Sequence, residues 1–152
     1  MLTPSMTLPQ IVPNLVSLAR TAASADAAGV WLLHESGEYL ENVYCDGLPQ
    51  EYVLCVKRTP VGRMTCGRAV VEKRSLITRD MKADPDFGEA GNSPVRACFS
   101  VPLIGHTGKV HGTLACHFKD VHDPSPYDVE RNELFAKLIA FALEEAQSAA
   151  AA

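Results

Sequence analysis

Apolar residues recur at Ile11, Leu15, Leu18 and Ala22, with Val12, Val16 and Ala19 beside them, which is the spacing of one helical face. Small residues continue the pattern through Ala28. Pro13 is tolerated only in a first turn, so the regular helix is predicted to begin near it. Gly29 to His34 is a short apolar run with an aromatic and a branched residue. It reads as a strand that turns at Ser36-Gly37 into a second strand, Tyr39 to Cys45, ended by Asp46-Gly47. Between Leu48 and Arg58, Tyr52, Cys55 and Val56 favour a short helix, broken by Pro60-Val61-Gly62. Residues 65–72 read as a further helix with Thr65 as its cap. A short strand follows from Ser75 to Thr78, then a loop at Ala83-Asp84-Pro85-Asp86 and one or two helical turns from Phe87 to Asn92.

The pattern sharpens toward the C-terminus. Ala97 to Ile104 and Val110 to Lys119 alternate as two strands, and the glycine-containing link 105–109 joins them as a β-hairpin. Pro102 lies inside the first of these, which requires a bulge or a nitrogen facing an open edge. Ser125-Pro126-Tyr127-Asp128 opens a long helix, with serine at the cap, proline first and an acidic residue three after the cap. That helix is expected to run past Glu145. Hairpin strands with helices at both ends of the chain point to an α+β fold. Its antiparallel sheet should carry the terminal helices on one face and the short middle helices on the other.

Composition narrows the function. The 152 residues suit one domain, and 47% apolar with 21% charged residues is ordinary for a globular chain. Fourteen basic against eighteen acidic side chains give a formal charge of −4, without the basic footprint of a nucleic-acid binder. No run of eighteen apolar residues occurs. The segment before Arg20 lacks a basic start and is broken by Pro4, Pro9 and Pro13, so it reads as mature sequence rather than a signal peptide. The five cysteines (Cys45, Cys55, Cys66, Cys98, Cys116) form no CxxC pair and fit reduced thiols in a cytoplasmic protein. Zinc-finger ligand spacing is absent.

The order of short motifs carries a resemblance. Residues 26–33 (Asp-Ala-Ala-Gly-Val-Trp-Leu-Leu), 48–52 (Leu-Pro-Gln-Glu-Tyr), Pro60-Val61-Gly62 and 65–70 (Thr-Cys-Gly-Arg-Ala-Val) resemble the first half of bacterial signalling GAF domains. Asp80, Asp84-Pro85, Phe87, residues 95–103 and Gly112-Thr113-Leu114-Ala115 complete the pattern, over about residues 10–146 with a tail at 147–152. The resemblance implies a sheet of about six antiparallel strands, and a pocket beneath the middle helices and loops. It also implies homodimers formed through the terminal helices. In function it implies a cytoplasmic sensory module that binds a small molecule and regulates an output domain, as in sensor histidine kinases and cyclic-di-GMP enzymes. A purely structural dimerisation module with an empty pocket is a further reading.

Strand alternation then places candidate pocket residues. Phe99, Val101, Leu114 and Phe118 should pack beneath the terminal helices, leaving Cys98, Ser100, Thr113, Ala115 and His117 toward the pocket. The small side chains should leave room for a ligand, and His117 supplies a polar handle. Tyr52, Phe87, Trp31 and Tyr44 are candidate walls, and Asp80 and Arg96 could pair to hold the lid. The strand 112–117 is similar to one in phytochrome GAF domains where a histidine faces a bilin. The cysteine–histidine pair of those relatives is replaced here by Gly91-Asn92-Ser93-Pro94, and the cofactor stays unassigned. Haem has no support, because no histidine lies between His34 and His106, and no motif demands a cyclic nucleotide.

Cys66, before a helix start and between Arg63 and Arg68, has neighbours that favour a thiolate, although its first reading is a packed helix-cap thiol and a regulatory thiol is the second. GAF proteins that are free methionine-R-sulfoxide reductases carry cysteine-glycine at this position, which opens an enzyme alternative. Their catalytic cysteine corresponds to the stretch Phe87–Pro94, which contains none here. Without that nucleophile, the expectation is a non-catalytic protein.

Overall fold

In the computed structural model, which describes residues 8–151, a single six-stranded antiparallel sheet runs in the order β3-β2-β1-β6-β5-β4. Its strands are β1 (Ala27–Leu33), β2 (Tyr39–Asp46), β3 (Arg58–Pro60), β4 (Leu76–Thr78), β5 (Ala97–Ile104) and β6 (Val110–Phe118). The helices are α1 (Leu8–Ala22), α2 (Gln50–Val56), α3 (Met64–Glu72) and α4 (Pro126–Ala151), with 3-10 turns at Met81–Ala83 and Pro85–Asn92. The fold is α+β, as the hydrophobic pattern predicts.

The long helices α1 and α4 cover one face of the sheet. Leu15, Val16, Ile139 and Leu143 meet Val30, Phe99, Val101, Leu114 and Phe118 there in one closed apolar cluster. Asn132 is the polar exception, and it is satisfied: its amide donates to the Asp128 carbonyl and its oxygen accepts from Cys116. Ser125 caps α4 by accepting the Asp128 N–H at 3.1 Å, as its position before Pro126 predicts. The helix continues through the alanine-rich tail to Ala151. At the other end of the sheet, the hairpin tip is tied to α4. The Glu144 carboxylate accepts the His106 N–H (2.9 Å) and pairs with His111 (2.7 Å), and the His106 ring stacks on Phe141 at 4.0 Å.

Several boundaries differ from expectation. Helix α1 begins at Leu8 and carries Pro13 in its interior, and it ends at Ala22 rather than Ala28. The chain then turns through Ser24 at φ 52, and Ala27 and Ala28 belong to β1. Thr65 does not cap α3. The cap position is Arg63, and the Asp86 carboxylate, from the distant 3-10 turn, accepts both the Met64 N–H and the Arg63 side chain. Strand β3 has only three residues and carries no alternation long enough to read. Pro102 takes the second option open to it, because β4 ends opposite Ser100 and leaves the sheet edge beside Pro102 unpaired.

The register of β2 contains one irregularity with consequences for the site. Val30 pairs with Tyr44 but Trp31 pairs with Asn42, so Val43 bulges out of the ladder. The Asn42 amide donates to the carbonyls of Val30 and Tyr44, both at 3.1 Å, and closes the gap. One extra residue inverts the faces beyond it. Leu40 therefore packs on the pocket side while Tyr44, four residues on, packs against the helix-covered core.

Candidate functional site

On the second face of the sheet, α2, α3 and the 3-10 segment cover a smaller cluster built on Trp31, Leu40, Tyr52, Phe87, Cys98 and Ala115. Cross-strand pairing sets its floor. Cys98 lies opposite His117, Ser100 opposite Ala115, and Gly29 opposite Ala115 from the other side. The structure thus brings the predicted Cys98, Ser100, Thr113, Ala115 and His117 onto this face, with Tyr52, Phe87 and Cys66 above them. Trp31 is a wall, as expected. Tyr44 is not, because the bulge at Val43 turns it to the opposite face.

Two glycines permit the close packing. A Cβ on Gly67 would stand 2.2 Å from the Pro60 carbonyl oxygen, so only glycine lets α3 settle against β3. A Cβ on Gly29 would stand 2.9 Å from Cζ3 of Trp31. The indole therefore lies back across Gly29, and its ring reaches the His117 ring at 5.7 Å. Tyr52 meets the same imidazole edge-on at 5.3 Å. The Trp31 N–H donates to the Val56 carbonyl at 2.8 Å, an acceptor shared with the Thr59 hydroxyl at 3.1 Å. The small residues do leave room, but the indole fills it. What remains is about 10 Å³, on the order of one water.

The polar groups divide into satisfied and unsatisfied ones. Thr65 and Thr78 share a hydrogen bond at 2.6 Å, and the Cys98 thiol donates to Thr65 at 3.2 Å. Cys66 and Ser100 share another at 3.2 Å. The Thr113 hydroxyl approaches the same sulfur without reaching hydrogen-bond geometry, and it has no partner among the described residues. Nδ1 of His117 has none either, although the residue is only 2% exposed. Burial pushes the His117 pKa down to about 3 and keeps the ring neutral. Sequence reasoning overlooked Val56, Thr59, Met64, Thr65 and Thr78, which come from the segments with the shortest elements.

The sequence neighbours that would favour a Cys66 thiolate do not act on it in the fold. Burial raises its pKa, more than the nearby Ser100 and Thr113 hydroxyls lower it. Both flanking arginines are committed elsewhere: Arg63 pairs with Asp86, and Arg68 with Asp84 at 2.9 Å. Burial pushes the Cys98 thiol up as well. Asp80 and Arg96 do pair, through two hydrogen bonds of 3.1 and 3.0 Å. The Met81 N–H donates to the Arg96 carbonyl at 2.6 Å, so the pair fastens the 3-10 segment to the start of β5. Among the described residues, no three His, Cys, Asp or Glu side chains are grouped to hold a metal ion.

A family model described as GAF domain matches residues 5–144. This chain belongs to the GAF domain family. No curated protein matches it. Among solved structures, a domain of a protein assigned as a two-component sensor histidine kinase from Sinorhizobium meliloti 1021 superposes with a TM-score of 0.79. Its identity is 14%, over 98% of each chain. The GAF-B domain of DevS from Mycobacterium smegmatis gives 0.72 at 22% identity, covering 93% of this chain and 96% of that one. The free methionine-R-sulfoxide reductase from Neisseria meningitidis, solved with its substrate, gives 0.74 at 24% identity over 94% and 89%. At these identities the likeness establishes the GAF fold. No helix among the described residues is long and apolar enough to cross a membrane.

Proposed function

We propose that this GAF domain is a non-catalytic sensor that binds a small uncharged molecule on the α2/α3 face and regulates an output domain of a cytoplasmic signalling protein. A histidine kinase or a cyclic-di-GMP enzyme is the expected output. The observation that carries the reading is the His117 imidazole, buried, neutral and unpartnered at Nδ1 among aromatic side chains. Buried polar atoms of native proteins are nearly always paired, and one left open at a pocket marks a place for a ligand. The fold shared with the domain from the Sinorhizobium protein assigned as a sensor histidine kinase supports the assignment to signalling.

Signal would pass by population shift between two arrangements of the covering helices. The hairpin β5–β6 carries the pocket floor on one side, and its tip grips α4 through Glu144 on the other. A change over the floor thus reaches the C-terminal helix through one rigid element. Leu18, Leu134 and Leu138 are exposed by 51%, 61% and 42% on the outer side of α1 and α4, and we assign them to a homodimer seam. The α1 stripe contributes less to that seam than its sequence implies, because Leu15 is already buried within the subunit.

Native mass spectrometry of the purified protein tests the reading: a stoichiometric small molecule released on unfolding supports it. Light scattering should report a dimer that Leu138→Glu converts to a monomer. The reductase alternative predicts turnover of free methionine sulfoxide with a thioredoxin system. Such turnover, lost in Cys66→Ser or Cys98→Ser, would replace the sensor reading. The stretch Phe87–Pro94 holds no cysteine, which argues for none.

A further inference from the structure

We propose that the Trp31 indole is a displaceable occupant of the pocket, and that the natural ligand is a planar, uncharged heteroaromatic molecule with an N–H donor that takes its place. The inference rests on the sensor reading above and adds the class of ligand and what must move. Three features of the indole set it apart from a core side chain. First, it projects from the strand position opposite the Val43 bulge, where the ladder is re-aimed. Second, it lies over Gly29, a slot with no side chain of its own, and Ala115 next to it adds only a methyl. Third, its polar atom is held by the Val56 carbonyl, the last residue of a seven-residue helix whose outer side exposes Leu54 and Cys55.

With the indole in place, the space left is about 10 Å³, so no second molecule larger than water fits beside it. The closed arrangement is nonetheless incomplete, because Nδ1 of His117 is left unpaired. A ligand presenting an N–H to Val56 and a second polar edge to His117 would satisfy both. No charged side chain lines the cavity among the described residues, and the histidine is neutral. Buried charge without a partner is strongly disfavoured, which excludes anionic and zwitterionic occupants. His117 also borders an open groove of about 250 Å³ at the end of the sheet, with Ala27, Pro49 and Val95, and this groove offers the route inward.

Indole is the direct probe. Trp31 is the sole tryptophan, so 15N-labelled wild-type protein shows one side-chain indole N–H signal. Unlabelled indole should move that signal to a solvent-exposed, rapidly exchanging position. In Trp31→Ala, calorimetry should give one indole per chain, bound at least about tenfold tighter than by wild type, which must first expel its own ring. N-methylindole, lacking the donor, should bind Trp31→Ala about tenfold more weakly, and indole-3-acetate not at all. A Trp31 signal that stays fixed at one hundred times the Trp31→Ala dissociation constant overturns the proposal. So does N-methylindole binding as tightly as indole. If Trp31→Ala does not fold, the wild-type signal at the solubility limit of indole decides alone. A co-purified ligand found with the Trp31 signal unmoved defeats the displacement and leaves the sensor reading standing. Indole binding by Trp31→Ala with no ligand ever found on the wild type defeats the sensor reading instead.

Discussion

The two faces of one sheet are built to different standards. Beneath α1 and α4, Val16, Phe99, Leu114 and Ile139 are wholly buried, and the polar Asn132 has its partners. Beneath α2 and α3 lie threonine, serine, cysteine and histidine, and Thr113 and His117 each keep an unpaired buried atom; Arg131 on α4 and His122, stacked on Phe118, keep one each on the other side. The floor of the first face is almost wholly apolar. The second places its polar groups in the floor of the pocket itself, where an unpaired one costs free energy in the closed state.

The sharpest break in this comparison is Phe99→Ala on the helix-covered side. It should cost about 3–5 kcal/mol, because the surrounding side chains cannot collapse fully into the void. Urea unfolding measures it, and a loss under about 1 kcal/mol would show that the helix face is no better packed than the other.

A pH series separates the faces next. His117 has a folded pKa of about 3 against 6.5 for the free side chain. The unfolded chain therefore binds a proton in this window that the folded chain refuses, so stability falls as pH drops below 6.5. Between pH 6.5 and 4 the loss should be roughly 3 kcal/mol, at 1.4 kcal/mol per unit. In His117→Leu that slope should flatten. The carboxylates held low, Asp86 and Asp128 by their hydrogen bonds and arginine partners despite partial burial, lose their contribution only at lower pH. An unchanged slope in the variant would mean that His117 reaches water in solution.

Within the pocket face, paired and unpaired hydroxyls should respond with opposite signs. Thr113→Val removes an unpartnered hydroxyl and should stabilise by about 1 kcal/mol. Thr65→Val removes one that meets both Thr78 and Cys98 and should destabilise by about the same. Equal signs in thermal melts would sink the distinction. The smallest effect belongs to Asp80→Asn, which weakens the half-buried pair with Arg96. Its loss should be slight and should shrink further in salt. Its more telling readout is faster amide exchange confined to the 3-10 segment that the pair fastens.

Local sequence determined a large share of this molecule. The periods of 3.6 and 2 marked α4, the β5–β6 hairpin and the side of the sheet each residue faces, because long elements repeat their pattern often enough to average over exceptions. Alternation alone assigned Cys98, Ser100 and His117 to the pocket side and Phe99 and Leu114 to the helices. Short elements were a different matter. β3 spans three residues, and the true cap of α3 is Asp86, twenty-two positions from the amide it accepts. Tertiary structure alone decided that one bulge at Val43 sends Tyr44 to the core. It also decided that the flanking arginines of Cys66 are spent on aspartates while burial keeps the thiol protonated. Above all, it decided that the space predicted for a ligand is filled by Trp31. Small residues at 98, 100, 113 and 115 announce a cavity in the sequence, but what fills a cavity depends on the rotamer of a side chain on a neighbouring strand and on a carbonyl brought to it from another element.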